Sequence, residues 1–388
     1  MIRQTTFKET LHNLRRAVWA FGLLISLAAL PAFGQQVHQL FYNNSGWADA
    51  NLNGSLTTSP TGVAAFTTTP NNSQHVFYIS NTGDIHQLYN VGGGWTDQDL
   101  TAQTGGVPAN SNSNVVGFSN QNFQYVFYIG ADFNIYELFY DNSNWSYTNL
   151  CTAYGIPIGE GHQITAFATS DNSLHVYYVD PDAHVIQTYN VGNGWEFQDL
   201  TAQTGGQQAQ GRYITGLSIG NLQYVYYVDA EGDVHELYYN NVNWADEDIT
   251  ALAKAVPSFG YPNSALSATL IPGTQKLRVY YIGNNDHVIQ LASTKNKKWT
   301  AADLTKKTKG PQANSANGVV AFATTPNNQM HVFYVVGDHV YQLFLPTPAT
   351  KWSNTDLTAL THGGLADFDA GMGGFSVANE QYVYYVAH

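Results

Sequence analysis

A single cysteine, Cys151, stands in 388 residues, so no disulfide framework can form and stability must come from buried area. Charge is scarce too, and positive charge scarcest: 15 Lys and Arg stand against 28 Asp and Glu. After residue 34 no apolar run approaches the roughly 20 residues that a membrane span needs, so no span is expected. The one continuous apolar stretch, Ala17 to Leu30, follows Arg3, Lys8, Arg15 and Arg16 and leads into "PAFGQQ". Ala32 and Gly34 there suit a small-x-small cleavage before Gln35. That pattern predicts a secretory signal peptide over residues 1–34 and a secreted remainder, extracellular or periplasmic. Without the leader's four basic residues and its Glu9, the remainder holds 11 Lys and Arg against 27 Asp and Glu, a net charge of −16. Such a surface repels phosphate backbones, and nucleic acid is not expected as a partner. Lys295, Lys297, Lys298, Lys306, Lys307 and Lys309 cluster locally, and they read as a solvated face.

Aromatic residues and glycine are abundant instead, and the chain repeats itself. "NVGGGWTDQDLTAQTGG" from Asn90 returns as "NVGNGWEFQDLTAQTGG" from Asn190. Tryptophan sets a frame of seven units at Trp47, Trp95, Trp145, Trp195, Trp244, Trp299 and Trp352. Four residues after each comes Asp or Asn, then Leu or Ile, which reads as a turn or backbone cap. Each unit divides into four short strands. A small–large pair such as Ala65-Phe66 marks the first and a "VFYI"-like run the second. An "IHQLY"-like run marks the third, and the Trp opens the fourth. The second strand is apolar at consecutive positions, as in a sheet covered on both faces.

Four-stranded units repeated about every 50 residues, each needing neighbours on both sides, describe a β-propeller. After the leader the chain begins with a third and fourth strand, "VHQLFY" and the Trp47 segment. It ends with a first and second, "GGFSVANEQYVYYVAH". The expected fold is therefore all-β: one seven-bladed propeller over residues 35–388, closed by a blade shared between the two ends. The residue before the second-strand Val alternates as His75, Tyr125, His175, Tyr224, Arg278, His331 and Tyr382. Blades thus alternate between a His type and a Tyr type, as if a two-blade unit had been duplicated.

The combination of "R-V-Y"-like second strands, "I-x-E-x-x-aromatic" third strands and a "G-W" fourth strand resembles the fucose-specific lectin propellers of fungi and bacteria. That resemblance implies sugar bound between adjacent blades, an Arg and a Glu on its hydroxyls, and aromatic rings against its apolar face. Here the Arg position is Arg only at Arg278. The Glu position is Glu only at Glu137 and Glu236, and Gln at Gln39, Gln87, Gln187, Gln290 and Gln342. The aromatic three residues on survives at Tyr42, Tyr140 and Tyr239. The Tyr-type units, with Tyr125, Glu137, Tyr140 and Trp145 or Tyr224, Glu236, Tyr239 and Trp244, keep most of the implied set. The expectation is a multivalent glycan-binding protein, its sugar left open because Arg and Glu never share a unit.

Other readings of the same residues stand beside this one. A Trp in every unit can serve only to pack blade on blade. His75, His175 and His331 can be satisfied strand histidines, and they show no metal-ligand spacing; no cofactor is expected. The Asp-rich segments near Asp180 and Asp229 read as turns, with calcium the less economical alternative. An enzyme would concentrate unique acids or a nucleophile at one place. Glu160 alone does not do so, and no catalysis is expected. A protein-interaction propeller that has lost its sugar sites is the remaining alternative.

Overall fold

A computed structural model describes residues 35–388 apart from 53–57, 70–71, 211–212, 260–265, 294–297, 315–317, 347–350 and 368–370. The leader, Lys295 and Lys297 lie outside these. Seven antiparallel sheets of four strands form a ring, numbered here as blades 1 to 7. They span residues 58–99, 115–149, 164–199, 214–248, 266–303, 319–356, and 372–387 together with 36–51. The closing blade joins the two ends of the described chain: Gln36–Tyr42 pairs antiparallel with Glu380–Ala387, from Gln36 opposite Ala387 to Tyr42 opposite Gln381. The first strands face one another around a central channel of about 520 Å³, lined by Gly117, Thr165 and Ser267 among others.

The second strands explain why no blade stands alone. Val126, Phe127, Tyr128 and Ile129 are all fully buried. Val126 and Tyr128 point into the core shared with blade 1, Phe127 and Ile129 into the core shared with blade 3. Successive strand side chains leave on opposite faces, so a continuous apolar run requires a neighbour on each side. Close approach is built in at the first strands. A Cβ on Gly117 would stand 2.8 Å from Phe66 Cε1, and one on Gly216 2.9 Å from Phe167 Cε1. The Phe of a His-type blade therefore fills the space that a glycine leaves in the following Tyr-type blade.

The recurring Asp or Asn after the Trp is indeed a cap, and what it caps is a short helix. Helices Leu100–Thr104, Leu150–Tyr154, Leu200–Thr204, Ile249–Ala253, Leu304–Thr308 and Leu357–Thr361 each follow a fourth strand. Asp99 Oδ1 accepts from the Ala102 amide at 2.8 Å, and the other five repeat the bond. The second helical residue ties the helix back to its blade. Thr101 Oγ1 accepts from the Ile85 amide at 2.8 Å. Cys151 fills this position in blade 2, its Sγ 3.2 Å from the Ile135 amide. Burial raises its thiol pKa, so Cys151 is a structural substitute for Thr.

Candidate functional site

The seven tryptophans of the repeat frame share one task. Each stands edge-on over an aromatic ring on the second strand of the preceding blade: Trp145 on Phe77, Trp195 on Phe127, Trp244 on Tyr177 and Trp299 on Tyr226. Trp352 on Tyr280, Trp47 on Phe333 and Trp95 on Tyr384 complete the ring. Centroid separations run from 5.6 to 6.5 Å and interplanar angles from 72° to 83°. Such edge contacts are worth about 0.5–1.5 kcal/mol each beyond the area they bury. Trp is thus a packing residue at every seam between consecutive blades, and at two seams it also walls an open cleft.

The first cleft, about 520 Å³, lies between blades 1 and 2 and is lined by His75, Gln87, Gln98, Gln124, Tyr140 and Trp145 among others. The second, about 640 Å³, lies between blades 3 and 4, where His175, Gln187, Gln198, Gln223, Tyr239 and Trp244 take the same places. Both volumes suit a small ligand. The preceding His-type blade supplies the imidazole and two glutamines, and the following Tyr-type blade supplies one glutamine, the Tyr and the Trp. Tyr140 and Trp145 lie 5.3 Å apart, as do Tyr239 and Trp244.

A directed chain of hydrogen bonds runs through each cleft. Gln98 Nε2 donates to Gln87 Oε1. Gln87 Nε2 donates both to His75 Nδ1 and to Gln124 Oε1, each at 2.9 Å. With Nδ1 accepting, the imidazole proton sits on Nε2, which faces Thr68 Oγ1 at 3.3 Å. Gln187 repeats the pattern with His175 at 3.0 Å and Gln223 at 2.8 Å. Burial lowers His75 and His175 to about 4, so both are neutral at pH 7. Among the described residues the first cleft holds no charged side chain. The second holds one, Asp171, which accepts from Thr169 Oγ1 at 2.6 Å.

The seam between blades 6 and 7 carries the same set. Gln342 Nε2 donates to His331 Nδ1 at 3.0 Å and to Gln381 Oε1 at 2.9 Å, with Tyr42 and Trp47 on the closing blade. Thr355 stands opposite Gln342 where Gln98 and Gln198 stand in the other two.

The remaining seams differ. Tyr125 and Glu137 do not meet Tyr140 and Trp145, because they face blade 3. There Trp195 bonds to Glu137, and burial, outweighing that bond, pushes the carboxyl up to about 7. Tyr224 and Glu236 likewise face blade 5 and Trp299, away from Tyr239 and Trp244, with Tyr226 donating to Glu236 at 2.8 Å. Leu174 and Leu277 are the apolar counterparts of Gln124 at these two seams. Between blades 5 and 6, Arg278 spends its guanidinium on the backbone carbonyls of Leu277 and Ser293, at 2.8 and 3.2 Å, and Gln290 donates to Tyr280 at 2.9 Å. Between blades 7 and 1, Gln39 donates to Tyr384 and Gln74, and Tyr382 donates to Glu380 at 2.7 Å. Trp95 closes that seam, and Trp352 closes the one between blades 5 and 6.

Gln124, Gln223, Gln381, Gln98 and Gln198 are cleft residues that reading one unit at a time passes over. Their signal is a correlation across neighbours. Where the following blade carries Gln before its His or Tyr, the preceding third strand carries Gln; where it carries Leu, the third strand carries Glu. A second set of histidines lies beside the short helices, paired with carboxylates. These include His38–Asp49 at 2.7 Å, His184–Asp199 at 2.6 Å and His235–Asp246 at 2.8 Å. Among the described residues no three His, Cys, Asp or Glu side chains converge in a group able to hold a metal ion. Asp180 and Asp229 accept from backbone amides of their own turns. No helix among the described residues is long and apolar enough to cross a membrane.

No protein-family model matches the chain, and no curated protein does. Solved structures match over most of the chain. The BP39L lectin of Burkholderia pseudomallei superposes with a TM-score of 0.60 at 16% identity, covering 82% of this chain and 89% of its own. AofleA of Arthrobotrys oligospora gives 0.53 at 14% identity, over 90% and 92%. The lectin of Aleuria aurantia, described as a six-bladed β-propeller with a novel fucose recognition mode, gives 0.53 at 17% identity, over 77% and 95%. At these identities the likeness is one of fold, and this ring has seven blades.

Proposed function

We propose that the chain is a secreted, non-catalytic carbohydrate-binding propeller whose sites are the clefts between a His-type blade and the Tyr-type blade that follows. One observation carries the reading: two well-formed clefts, a hundred residues apart in sequence, share an amide–imidazole–hydroxyl lining and a Tyr–Trp wall. Amides and hydroxyls match the vicinal hydroxyls of a sugar, and aromatic rings supply flat apolar area with little entropy to lose. The lectin propellers of like fold support this class of ligand. The neutral imidazole where the resemblance implies Arg argues for a sugar preference other than fucose. Shallow sites bind weakly one at a time. Several on one ring gain about 10²–10⁴ through avidity on a glycan-bearing surface.

A glycan array probed with the purified protein, with free monosaccharides as competitors, tests the proposal. Competable binding is expected. A blank array from folded protein would sink it and leave a propeller that meets other proteins. The basic and apolar leader of residues 1–34 supports export. Recovery of the processed chain outside the cytoplasm, beginning at Gln35, would test that separately.

A further inference from the structure

The direction of the amide chain gives the clefts a polarity, and from it we infer that they take neutral sugars bearing an N-acetylamino group, with Gln124 and Gln223 as the residues that select it. This deepens the reading of the clefts as saccharide sites and rests on it. Gln124 is 6% exposed and Gln223 5%, yet both line open clefts. Each spends its Oε1 on the preceding blade. Gln124 Oε1 accepts from Gln87 at 2.9 Å, and Gln223 Oε1 accepts from Gln187 at 2.8 Å and from Tyr177. The amide end is thereby turned the other way, and among the described residues neither Nε2 has a protein acceptor. Neither Nε2 is among the side-chain atoms buried without a partner, so each opens onto the cleft, and a ligand that displaces its water must offer it an oxygen.

Gln98 and Gln198 complete the match from across the cleft. Each donates its Nε2 to the third-strand glutamine, which leaves its own carbonyl free among the described residues to accept. One donor and one acceptor, both uncharged, beside the Tyr140–Trp145 or Tyr239–Trp244 wall, are the complement of an acetamido group. Its carbonyl accepts from Gln124, its N–H donates to Gln98, and its methyl lies on the rings. A carboxylate would satisfy Gln124 as acceptor but offers no N–H to Gln98. In the second cleft it would also meet the Asp171 charge at the rim, within a chain of net −13.

Two comparisons by titration calorimetry test the inference. On the unaltered protein, N-acetylglucosamine and N-acetylgalactosamine should bind at least tenfold more tightly than glucose, galactose and L-fucose. In a Gln124→Glu/Gln223→Glu/Gln381→Glu variant each new carboxylate still accepts from the third-strand glutamine but donates nothing. That tenfold margin should then disappear in calorimetry at pH 8 on a variant whose near-UV circular dichroism matches the parent's, whatever burial of the new carboxylates costs in unfolding midpoint. Sugars that bind without an acetamido margin, or a margin that survives in the folded variant, would overturn the inference and leave the clefts as saccharide sites. Absence of binding by every one of these sugars would overturn the saccharide reading together with it. Comparison of the sugars on the unaltered protein decides the matter even where the variant does not fold.

Discussion

The seams that follow a His-type blade and those that follow a Tyr-type blade use the same Trp contact for opposite ends. After blades 1 and 3, neutral polar groups form a bonded chain around an open cleft, and the Trp is its wall. After blades 2 and 4, Tyr125 and Tyr224 pack into aromatic clusters with Phe139 and Tyr238, and Leu174 and Leu277 stand in place of glutamine. The lone carboxylates Glu137 and Glu236 bond to Trp195 and Tyr226 there. The repeat therefore sets seams that leave an open, polar-lined cleft beside seams packed with aromatic and apolar side chains. The hundred-residue echo is closer than the fifty-residue one because each kind of seam recurs at every second blade.

Acid should expose the comparison most strongly. Burial holds His75 and His175 at about 4 and His331 at about 3, against 6.5 in the unfolded chain. The unfolded state then binds more protons between those values, so stability is full above 6.5 and falls as pH drops toward 4. The loss is about 1.4 kcal/mol per pH unit for each histidine. Urea unfolding across that window should show the slope, and a His75→Gln/His175→Gln/His331→Gln variant should flatten it. His235, beside a short helix, acts in the other direction. Burial lowers His235, but its bonds to Asp229 and Asp246 outweigh that and raise it to about 9. Its contribution is present below 6.5 and is lost as pH rises toward 9, so a His235→Asn variant should be flatter on the alkaline side.

At neutral pH, Trp195→Ala and Trp145→Ala should each cost about 3–5 kcal/mol in urea unfolding, as large-to-small changes in a packed core do. Only Trp145→Ala should also remove one saccharide site from the calorimetric stoichiometry. Equal effects on binding would erase the distinction between seams. Gln87→Ala removes the hydrogen-bond partner of His75, Gln98 and Gln124 together, and should cost about 1–3 kcal/mol. Gln290→Ala, which releases only the Tyr280 hydroxyl, should cost less. The one gain in stability is expected at Glu137, whose carboxyl is pushed from 4.5 to about 7 by burial. Its contribution is full below 4.5 and is lost as pH rises to 7, so Glu137→Gln should stabilise the protein at pH 8 and leave glycan binding unchanged.

The ring itself was legible from the Trp frame, the doubly buried second strands and the complementary strand pairs at the two ends. The Asp or Asn cap was legible too, although five helical residues leave too short a periodicity to announce a helix. The grouping of cleft residues was not read correctly unit by unit, and parity explains why. Glu137 and Tyr140 lie three apart on one strand, and side chains an odd number apart leave on opposite faces. They must therefore serve different seams, as must Tyr125 and its neighbour Gln124. Which blade each face meets is a property of the closed ring, and it takes the register between sheets to see that His75 and Tyr140, sixty-five positions apart, share a cleft.

A crystal of the protein soaked with the sugar that competes best on the array would test the central claim most directly. Sugar density at the Gln124 and Gln223 clefts, with none beside Glu137 or Glu236, is the predicted result. Density beside Glu137, Glu236 or Arg278 with the two clefts empty would contradict it.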